Sequence, residues 1–404
     1  MKITIIIAFL LIFVTIDAQV VRDEYNKGKR YFKQKDYKKA KQKFTYVVDN
    51  NTAYYEAYTY RARIFLKLQL PDSALMDFKK SIKIQEDFLP NYYYRAKYYI
   101  GVEEDQRAEK DLNTLLEYRS DFAPAILLRA QIYEKRGDDQ LAFKDYNSLI
   151  DSKTKNYKVY YQRGLYYSKM RQNTAAIKDF EQAILLKSNF VDAIYALGLS
   201  CQILGNYDDA IIQFSKVIKL NQTHKEAYSH RAYLYYKTKD YTAGLEDDKY
   251  IVSHFKMRED TLFIRMAKAE LQKENLTSAD RYLTKAISAN PKSINALMLR
   301  ADVAVKRDRA ATGISYLQRI HRIDAKNTDS WLRQADIYMQ TKQYKKAVDA
   351  LTKCIRIKQI GEAYYLRGAA YSFLYDNDNA CKDTRKAAAL GYAQAKLDLP
   401  KVCK

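Results

Sequence analysis

The chain has 404 residues and a formal net charge of +22, because 70 Lys and Arg outnumber 48 Asp and Glu. This length allows two or three compact domains or one long repeat array. With 11 Gly and 5 Pro, the chain has few residues suited to tight turns, and its composition favours helices joined by short connections.

The N-terminus has the pattern of a secretory signal peptide. Lys2 supplies the positive start, and an apolar run of 14 residues extends from Ile3 to Ile16. This run is shorter than the ~20 residues that a membrane-spanning helix needs. We place the cleavage after Ala18. The sequence therefore predicts a signal peptide at residues 1–18 and an exported chain, periplasmic or secreted, with no transmembrane segment in its mature part.

Small residues recur at an interval close to 34 residues along the rest of the chain. Large apolar or aromatic residues follow them at helical spacing. This periodicity predicts stacked helix-turn-helix units, in which the small residues let two helices approach closely. Each of eleven successive segments has two small residues twelve apart, and the pairs are Gly28 and Ala40, Ala62 and Ala74, Ala96 and Ala108, Ala130 and Ala142, Gly164 and Ala176, Gly198 and Ala210, Ala232 and Gly244, Ala267 and Ala279, Ala301 and Gly313, Ala335 and Ala347, and Gly368 and Ala380.

The segments DYKKAKQKF, YDDAIIQF and QYKKAVDAL resemble the second-helix motif of the tetratricopeptide repeat (TPR). The resemblance implies an all-α fold, an α-α superhelix or TPR solenoid of about eleven helix-turn-helix repeats with a C-terminal capping segment. It also implies a non-enzymatic scaffold that binds other proteins. The predicted repeats are 21–54, 55–88, 89–122, 123–156, 157–190, 191–224, 225–259, 260–293, 294–327, 328–360 and 361–392, and the cap is 393–404.

An Arg and an Asp vary together among the repeats. When the two small residues of a repeat are numbered 8 and 20, Arg occupies position 7 in seven repeats and Asp occupies position 23 in six of those seven. Positions that vary together suggest contact, so we expect an ion pair between the two helices of one repeat. The alternative is a row of arginines that binds anionic ligands. The predicted pairs are Arg61 and Asp77, Arg95 and Asp111, Arg129 and Asp145, Arg163 and Asp179, Arg231 and Asp247, and Arg367 and Asp383.

The resemblance also implies a partner-binding groove, because the first helices of TPR units build a concave wall. Positions 5, 9 and 13 would then form a groove rich in Tyr and Lys, suited to an acidic partner or to an extended peptide or helix. For each lysine, a solvated helix end is the other interpretation. The expected partner-binding residues are Tyr25, Lys29, Arg63, Lys67, Tyr93, Lys97, Tyr161, Lys169, Tyr195 and Lys237.

The basic segment from Lys27 to Lys43 contains nine cations and one acid. It is either a polar cap on the first repeat or a docking patch for an acidic partner or an anionic surface. A periplasmic chaperone or adaptor for unfolded or anionic polymeric clients is the alternative function. The signal peptide disfavours nucleic acid as the partner.

Recognisable catalytic chemistry is absent from the sequence. The four His residues do not have metal-binding spacing, and the chain has no Gly-rich phosphate loop and no nucleophile elbow. We therefore expect no catalytic residues, no metal, no cofactor and no small-molecule substrate.

The four cysteines fall into two classes. Cys201 and Cys354 occupy positions of small buried apolar residues. If the tail folds back after Gly391, Cys381 and Cys403 come level and can form a disulfide, with Pro400 ending or bending the cap helix. Two unpaired thiols at a frayed end are the alternative.

One junction departs from the repeat. An extra residue lies within 253–260, and repeat 7 has Gly244 and Asp248 where other repeats have Ala and a large apolar residue. These departures predict a weakened stack between repeats 7 and 8.

Overall fold

The computed structural model describes the backbone of residues 2–403 and the side chains of residues 18–403. The predicted signal peptide, residues 1–18, lies almost entirely outside the described side chains. Within 2–403 the secondary structure is helical, with no strand, so the fold is all-α. The helices are α1 (Lys2–Lys33), α2 (Tyr37–Asn50), α3 (Tyr55–Lys67), α4 (Pro71–Ile84), α5 (Pro90–Gly101), α6 (Asp105–Tyr118), α7 (Ala123–Arg136), α8 (Asp139–Asp151), α9 (Tyr157–Lys169), α10 (Asn173–Leu186), α11 (Val191–Leu204), α12 (Tyr207–Leu220), α13 (Lys225–Lys237), α14 (Tyr241–His254), α15 (Asp260–Gln272), α16 (Leu276–Ala289), α17 (Ile294–Lys306), α18 (Ala310–Ile323), α19 (Thr328–Gln340), α20 (Tyr344–Ile357), α21 (Gly361–Phe373), α22 (Asn377–Ala389) and α23 (Ala393–Val402).

Within each unit the helices α1–α10 and α13–α22 form hairpins, each made of an odd-numbered A helix and the even-numbered B helix that follows it. The chain divides into two compact units, Met1–Ser200 and Cys201–Lys404, and the division falls within α11. Inside each unit, every hairpin packs against the next one along the chain. The fold therefore consists of repeated helix pairs, as the periodicity predicts.

Small and large residues alternate in the core as the spacing predicts. In the first unit Ala40 and Ala74 are fully buried, which allows the A and B helices to approach closely. Four residues after them, Phe44 and Phe78 are also fully buried and fill the space beside the close contact. Burial of each such aromatic side chain contributes roughly 1.5–3 kcal/mol, so the packing of these two hairpins depends on this pair of residues.

The junction between repeats 7 and 8, where the sequence predicts a weakened stack, contains a polar network. Asp248 is fully buried, accepts a hydrogen bond of 2.8 Å from the Tyr236 hydroxyl, and binds the guanidinium of Arg265 on α15. The Tyr236 ring occupies the space that a side chain at Gly244 would need. One hydrophobic cluster also continues across the junction from Leu245 to residues of α15 and α16. A polar network thus replaces the usual apolar contact, because Asp248 has two partners inside the core.

The C-terminal segment closes the last hairpin. Gly391 has φ of +87°, a left-handed conformation that suits Gly at the turn into α23. A disulfide joins Cys381 on α22 to Cys403, with their Cα atoms 4.9 Å apart. Pro400 lies inside α23, which continues to Val402, so of the two expected effects, ending or bending the cap helix, it does not end the helix. Proline removes only one backbone hydrogen bond, and here it does so in the last turn. Cys201 and Cys354 are buried, and burial raises the pKa of the Cys354 thiol to about 11.

Replacing Gly244 by Ala tests the packing at the irregular junction. An added Cβ would lie 2.6 Å from Cε1 of Tyr236, so the substitution overpacks the core even though Ala is the usual residue at this position. Overpacking costs about 1–3 kcal/mol and outweighs the gain in helix propensity of up to about 1 kcal/mol. We expect a net loss of about 1 kcal/mol in the free energy of unfolding measured by urea denaturation.

The matched control is Gly101→Ala on α5, because an added Cβ there meets no atom within 4 Å. This control should leave stability unchanged or raise it. Equal or greater stability of Gly244→Ala would contradict the role assigned to Tyr236.

Candidate protein-binding site

The six predicted Arg–Asp pairs are in contact in the structure. Each Arg binds its own Asp through Nε to Oδ2 and Nη2 to Oδ1, at distances of 2.6–2.9 Å. The six Asp residues are 4–5% exposed. The bond to Asp145 raises the pKa of Arg129, and burial raises the pKa of Asp77 and Asp247 against the opposing effect of their arginines. These arginines therefore belong to the frame of each hairpin and do not form a row of open anion sites.

The third nitrogen of these arginines connects neighbouring repeats. Nη1 of Arg129 donates to Oδ1 of Asn113 at 2.8 Å, and Asn113 lies on the B helix of the preceding repeat. Four other pairs repeat this bond at position 25 of the preceding repeat, where the acceptor is Thr45, Asn147, Ser215 or Thr352. Arg95 lacks such a bond because the corresponding residue is Lys79, which cannot accept one. A small polar residue at position 25 of the repeat before each such Arg could have indicated this bond from the sequence. We did not predict it.

Arg300, the arginine without an Asp in its own repeat, pairs differently. Its guanidinium lies 4.9 Å from the ring of Tyr316, which occupies the position of the missing acid. Its Nε donates to Oδ1 of Asp280 on the preceding B helix at 2.9 Å, and Arg307 binds the same carboxylate. The preceding repeat thus supplies the acid.

The predicted groove tyrosines are half-buried packing residues. The ring of Tyr25 lies 4.8 Å from that of Tyr54, and Tyr161 lies 4.9 Å from Phe190. Tyr93 likewise contacts Phe122 at 5.6 Å. In each pair the second aromatic belongs to the linker that leads to the next repeat, at position 34. Tyr195 is also half-buried. Linker aromatics therefore pack against three of these rings and narrow the surface that they present, and their part in a partner-binding groove stays a prediction.

The predicted lysines are exposed, and some of them contact nearby groups. Nζ of Lys29 lies 5.3 Å from the ring of Tyr25, and Lys97 lies 5.7 Å from the ring of Tyr93, one helical turn earlier. Lys169 instead forms an ion pair with Asp139 of the preceding repeat. Lys237 belongs to the second unit and lies 5.5 Å from the ring of Tyr233. Lys29, Lys67 and Lys97 therefore remain together on the first three A helices.

Arg63 occupies a more elaborate site than its sequence position indicates. Its guanidinium carbon lies 3.9 Å from the ring centroid of Tyr94, 4.6 Å from that of Phe32 and 5.1 Å from that of Tyr60. These rings come from α5, α1 and α3. Among residues 18–403 no acceptor forms a hydrogen bond with this guanidinium. Cation–π contacts fix the position of its charge without using its N–H donors. The surface formed by Phe32, Tyr60, Arg63 and Tyr94 is named here the Arg63 cluster.

Comparison with protein families decides which class of protein this is. A family model for the tetratricopeptide repeat matches residues 157–190, 191–224 and 328–360, and a second model for the same repeat matches residues 25–86 and 264–328. Together these segments cover more than half of the chain. The chain belongs to the tetratricopeptide repeat family. No curated protein sequence matches it.

Several solved TPR structures are similar to this chain. The C-terminal part of a TPR repeat-containing protein from Cytophaga hutchinsonii is 16% identical, with a TM-score of 0.46 over 67% of this chain and 98% of that chain. A TPR protein from Parabacteroides merdae is also 16% identical, with a TM-score of 0.44 over 62% of this chain and 100% of that one. Tom70 from yeast is 12% identical, with a TM-score of 0.38 over 95% and 96%.

TPR proteins are in general non-enzymatic scaffolds that bind other proteins. Within the part of this TPR chain whose side chains are described, no cluster of His, Cys, Asp and Glu could hold a metal ion. Over the same residues, no helix combines the length and apolar character needed to cross a membrane. The chemistry that the described surface offers is contact by cations and aromatic rings.

Substitution of Asp145 tests the ion pair as part of the TPR frame. Asp145→Ala leaves the partly buried Arg129 without its carboxylate, and we expect a loss of about 2–3 kcal/mol in the free energy of unfolding, discounted for the exposed part of Arg129. In the double variant Arg129→Ala/Asp145→Ala, the loss should be smaller than the sum of the two single losses, because both remove one interaction. Urea denaturation measures all three.

The exposed pair of Arg107 and Glu104 provides the matched control, since its side chains are 65% and 42% exposed. Arg107→Ala should cost less than about 0.5 kcal/mol. Strictly additive losses at Arg129 and Asp145 would argue against a direct coupling between them.

Proposed function

We propose that this protein is an exported TPR scaffold that binds an acidic segment of another protein on the A helices of its first three repeats. The observation that carries the proposal is the Arg63 cluster, in which three rings hold a guanidinium whose donors have no acceptor among the described residues. A carboxylate of a partner would supply that acceptor. Arg is well suited to this role because its planar donors can bind a carboxylate twice.

The surroundings of Arg63 support an acidic partner. Lys29, Lys67 and Lys97 are exposed on the same three A helices, α1, α3 and α5. Positive charge on one surface accelerates encounter with an acidic partner and selects against basic ones. Arg and Tyr are also the residues that most often dominate binding energy at protein interfaces.

A small apolar pocket adjoins the Arg63 cluster. It has a volume of about 180 Å³, and its walls include Tyr93, Tyr94, Leu115 and Phe122. The ring of Tyr94 belongs both to this pocket and to the Arg63 cluster. A partner segment could therefore place an apolar side chain in the pocket while a neighbouring carboxylate binds Arg63.

Removal of charge from this surface tests the binding function. In the triple variant Arg63→Gln/Lys67→Gln/Lys97→Gln, capture of the natural partner in a crosslinked pull-down should fall about tenfold, since each lost charge contact weakens binding by about 0.2–1 kcal/mol or more. Tyr93 is left intact because its contact with Phe122 would confound binding with stability. Circular dichroism should show an intact helical fold, with a stability loss no larger than the about 0.5–1 kcal/mol that loss of the Arg63 ring contacts explains.

The matched control removes three exposed lysines from B helices of the same unit, as Lys79→Gln/Lys110→Gln/Lys144→Gln. This control has the same change in net charge and should capture the partner normally. Normal capture by the first variant, or equal loss in both, would move the binding site elsewhere. Capture of many unrelated anionic clients, lost equally in both variants, would favour the chaperone function.

Export is the second part of the proposal. The apolar run before Ala18 and the disulfide between Cys381 and Cys403 support it, because disulfides persist in oxidising compartments. N-terminal sequencing of the protein from its native source should begin at Gln19. A chain that begins at Met1 and is recovered from the cytoplasm would contradict export.

A further inference from the structure

A solvent-open cleft of about 670 Å³ lies near the irregular junction in the second unit. The end of α14, the linker 255–259, Phe263 on α15 and the C-terminal half of α16 enclose it. Volumes of roughly 300–1,000 Å³ are typical of pockets that hold small ligands. The cleft is separate from the Arg63 cluster, which belongs to the first unit.

Three cations line the cleft, and no acid lines it. They are Lys256 and Arg258 from the linker and Lys285 from α16. None of the three forms an ion pair or a side-chain hydrogen bond within residues 18–403. The hydroxyl groups of Thr284 and Ser288 lie on the same wall as Lys285. Three unpaired positive charges around one cavity produce a strong local attraction for an anion.

The irregular linker explains why cations occupy this place. Arg258 holds position 34 of its repeat, where four repeats of the first unit have an aromatic residue such as Phe122. The linker aromatic Phe255 instead packs back into its own repeat, 6.1 Å from Tyr228 and 6.0 Å from Tyr250.

The floor of the cleft is apolar. Phe263 lines it, and Nζ of Lys285 lies 5.8 Å from the centroid of that ring and 5.7 Å from the ring of Tyr282. These cation–π contacts hold the Lys285 charge beside the cavity. A ligand with a carbon ring and charged groups at its edge would match the arrangement of floor and rim.

We infer that this cleft binds a small organic polyanion, a phosphate or sulfate ester with two or more charged groups. The tetrahedral oxygens of such groups accept hydrogen bonds from Lys and Arg, and two groups are needed to engage cations on both the linker and α16. The inference does not rest on the proposed protein-binding function.

Isothermal titration calorimetry of the mature chain with inositol hexakisphosphate tests the inference, at about 0.15 M salt to screen the overall charge. One molecule should bind per chain. The variant Lys256→Gln/Lys285→Gln should bind about tenfold more weakly or worse, because it loses two charged contacts. Both lysines are exposed, so circular dichroism should show an unchanged fold.

The matched control is Lys110→Gln/Lys144→Gln, which removes two exposed lysines from B helices of the first unit and changes the net charge equally. Its affinity should stay within about twofold of the wild type, since long-range charge is screened. Equal weakening in both variants, several molecules bound per chain, or no binding to the wild type would overturn the inference.

The polyanion could be the headgroup of a lipid or a soluble ester, and binding to vesicles distinguishes these two sources. Co-sedimentation of the wild type, but not of the cleft variant, with vesicles rich in phosphatidic acid would identify a lipid headgroup as the ligand. If the wild type binds inositol hexakisphosphate but does not sediment with the vesicles, the ligand is a soluble ester. The inference would be overturned if the wild type and the cleft variant sedimented to the same extent and also bound inositol hexakisphosphate with the same affinity. All binding would then be due to net charge.

Discussion

The arginine fork at position 7 is the interaction on which the repeat array depends. In Arg129, two nitrogens bind Asp145 on its own B helix and the third binds Asn113 on the preceding B helix. One side chain on an A helix therefore fixes the geometry of its own hairpin and its register against the previous hairpin. Directional bonds suit this task, because Ala-lined helix contacts are smooth and permit sliding, whereas a planar guanidinium accepts few arrangements.

Repeats that lack this fork reach the same end with other residues. At the junction of repeats 7 and 8, Asp248 accepts hydrogen bonds from the Tyr236 hydroxyl and the Arg265 guanidinium inside the core. In the next repeat, Arg300 takes its acid, Asp280, from the preceding B helix. A buried carboxylate needs a cation and hydrogen-bond donors, but their position in the sequence can vary. What these repeats share is that each buried carboxylate is paired with a cation, whichever sequence position supplies it.

The frame also decides which charges stay available at the surface. Arginines at position 7 use their guanidinium donors for bonds inside the frame. Cations at position 9 lie two residues further along the A helix, on another side of it, and stay accessible. Arg63 and Lys97 are of this second kind. The sequence predicts both these cations and Tyr93 in one groove. The surface that Tyr93 presents depends on its contact with Phe122, a residue of the following linker that the period of the A helix does not reveal.

The sequence by itself determined the helical hairpins, the Arg–Asp pairs and the pairing of Cys381 with Cys403. Each is a contact within one hairpin or its cap, between residues a fixed 16 or 22 positions apart, so its regularity is visible along the chain. Only the tertiary structure decided the bond from Arg129 to Asn113, the stacking of Arg63 on three helices and the burial of Asp248. These contacts join different repeats. They depend on how neighbouring helices and linkers are placed in space. A small polar residue at position 25 marks the bond to Asn113 in the sequence, but its partner is identified only once the preceding B helix is placed beside Arg129.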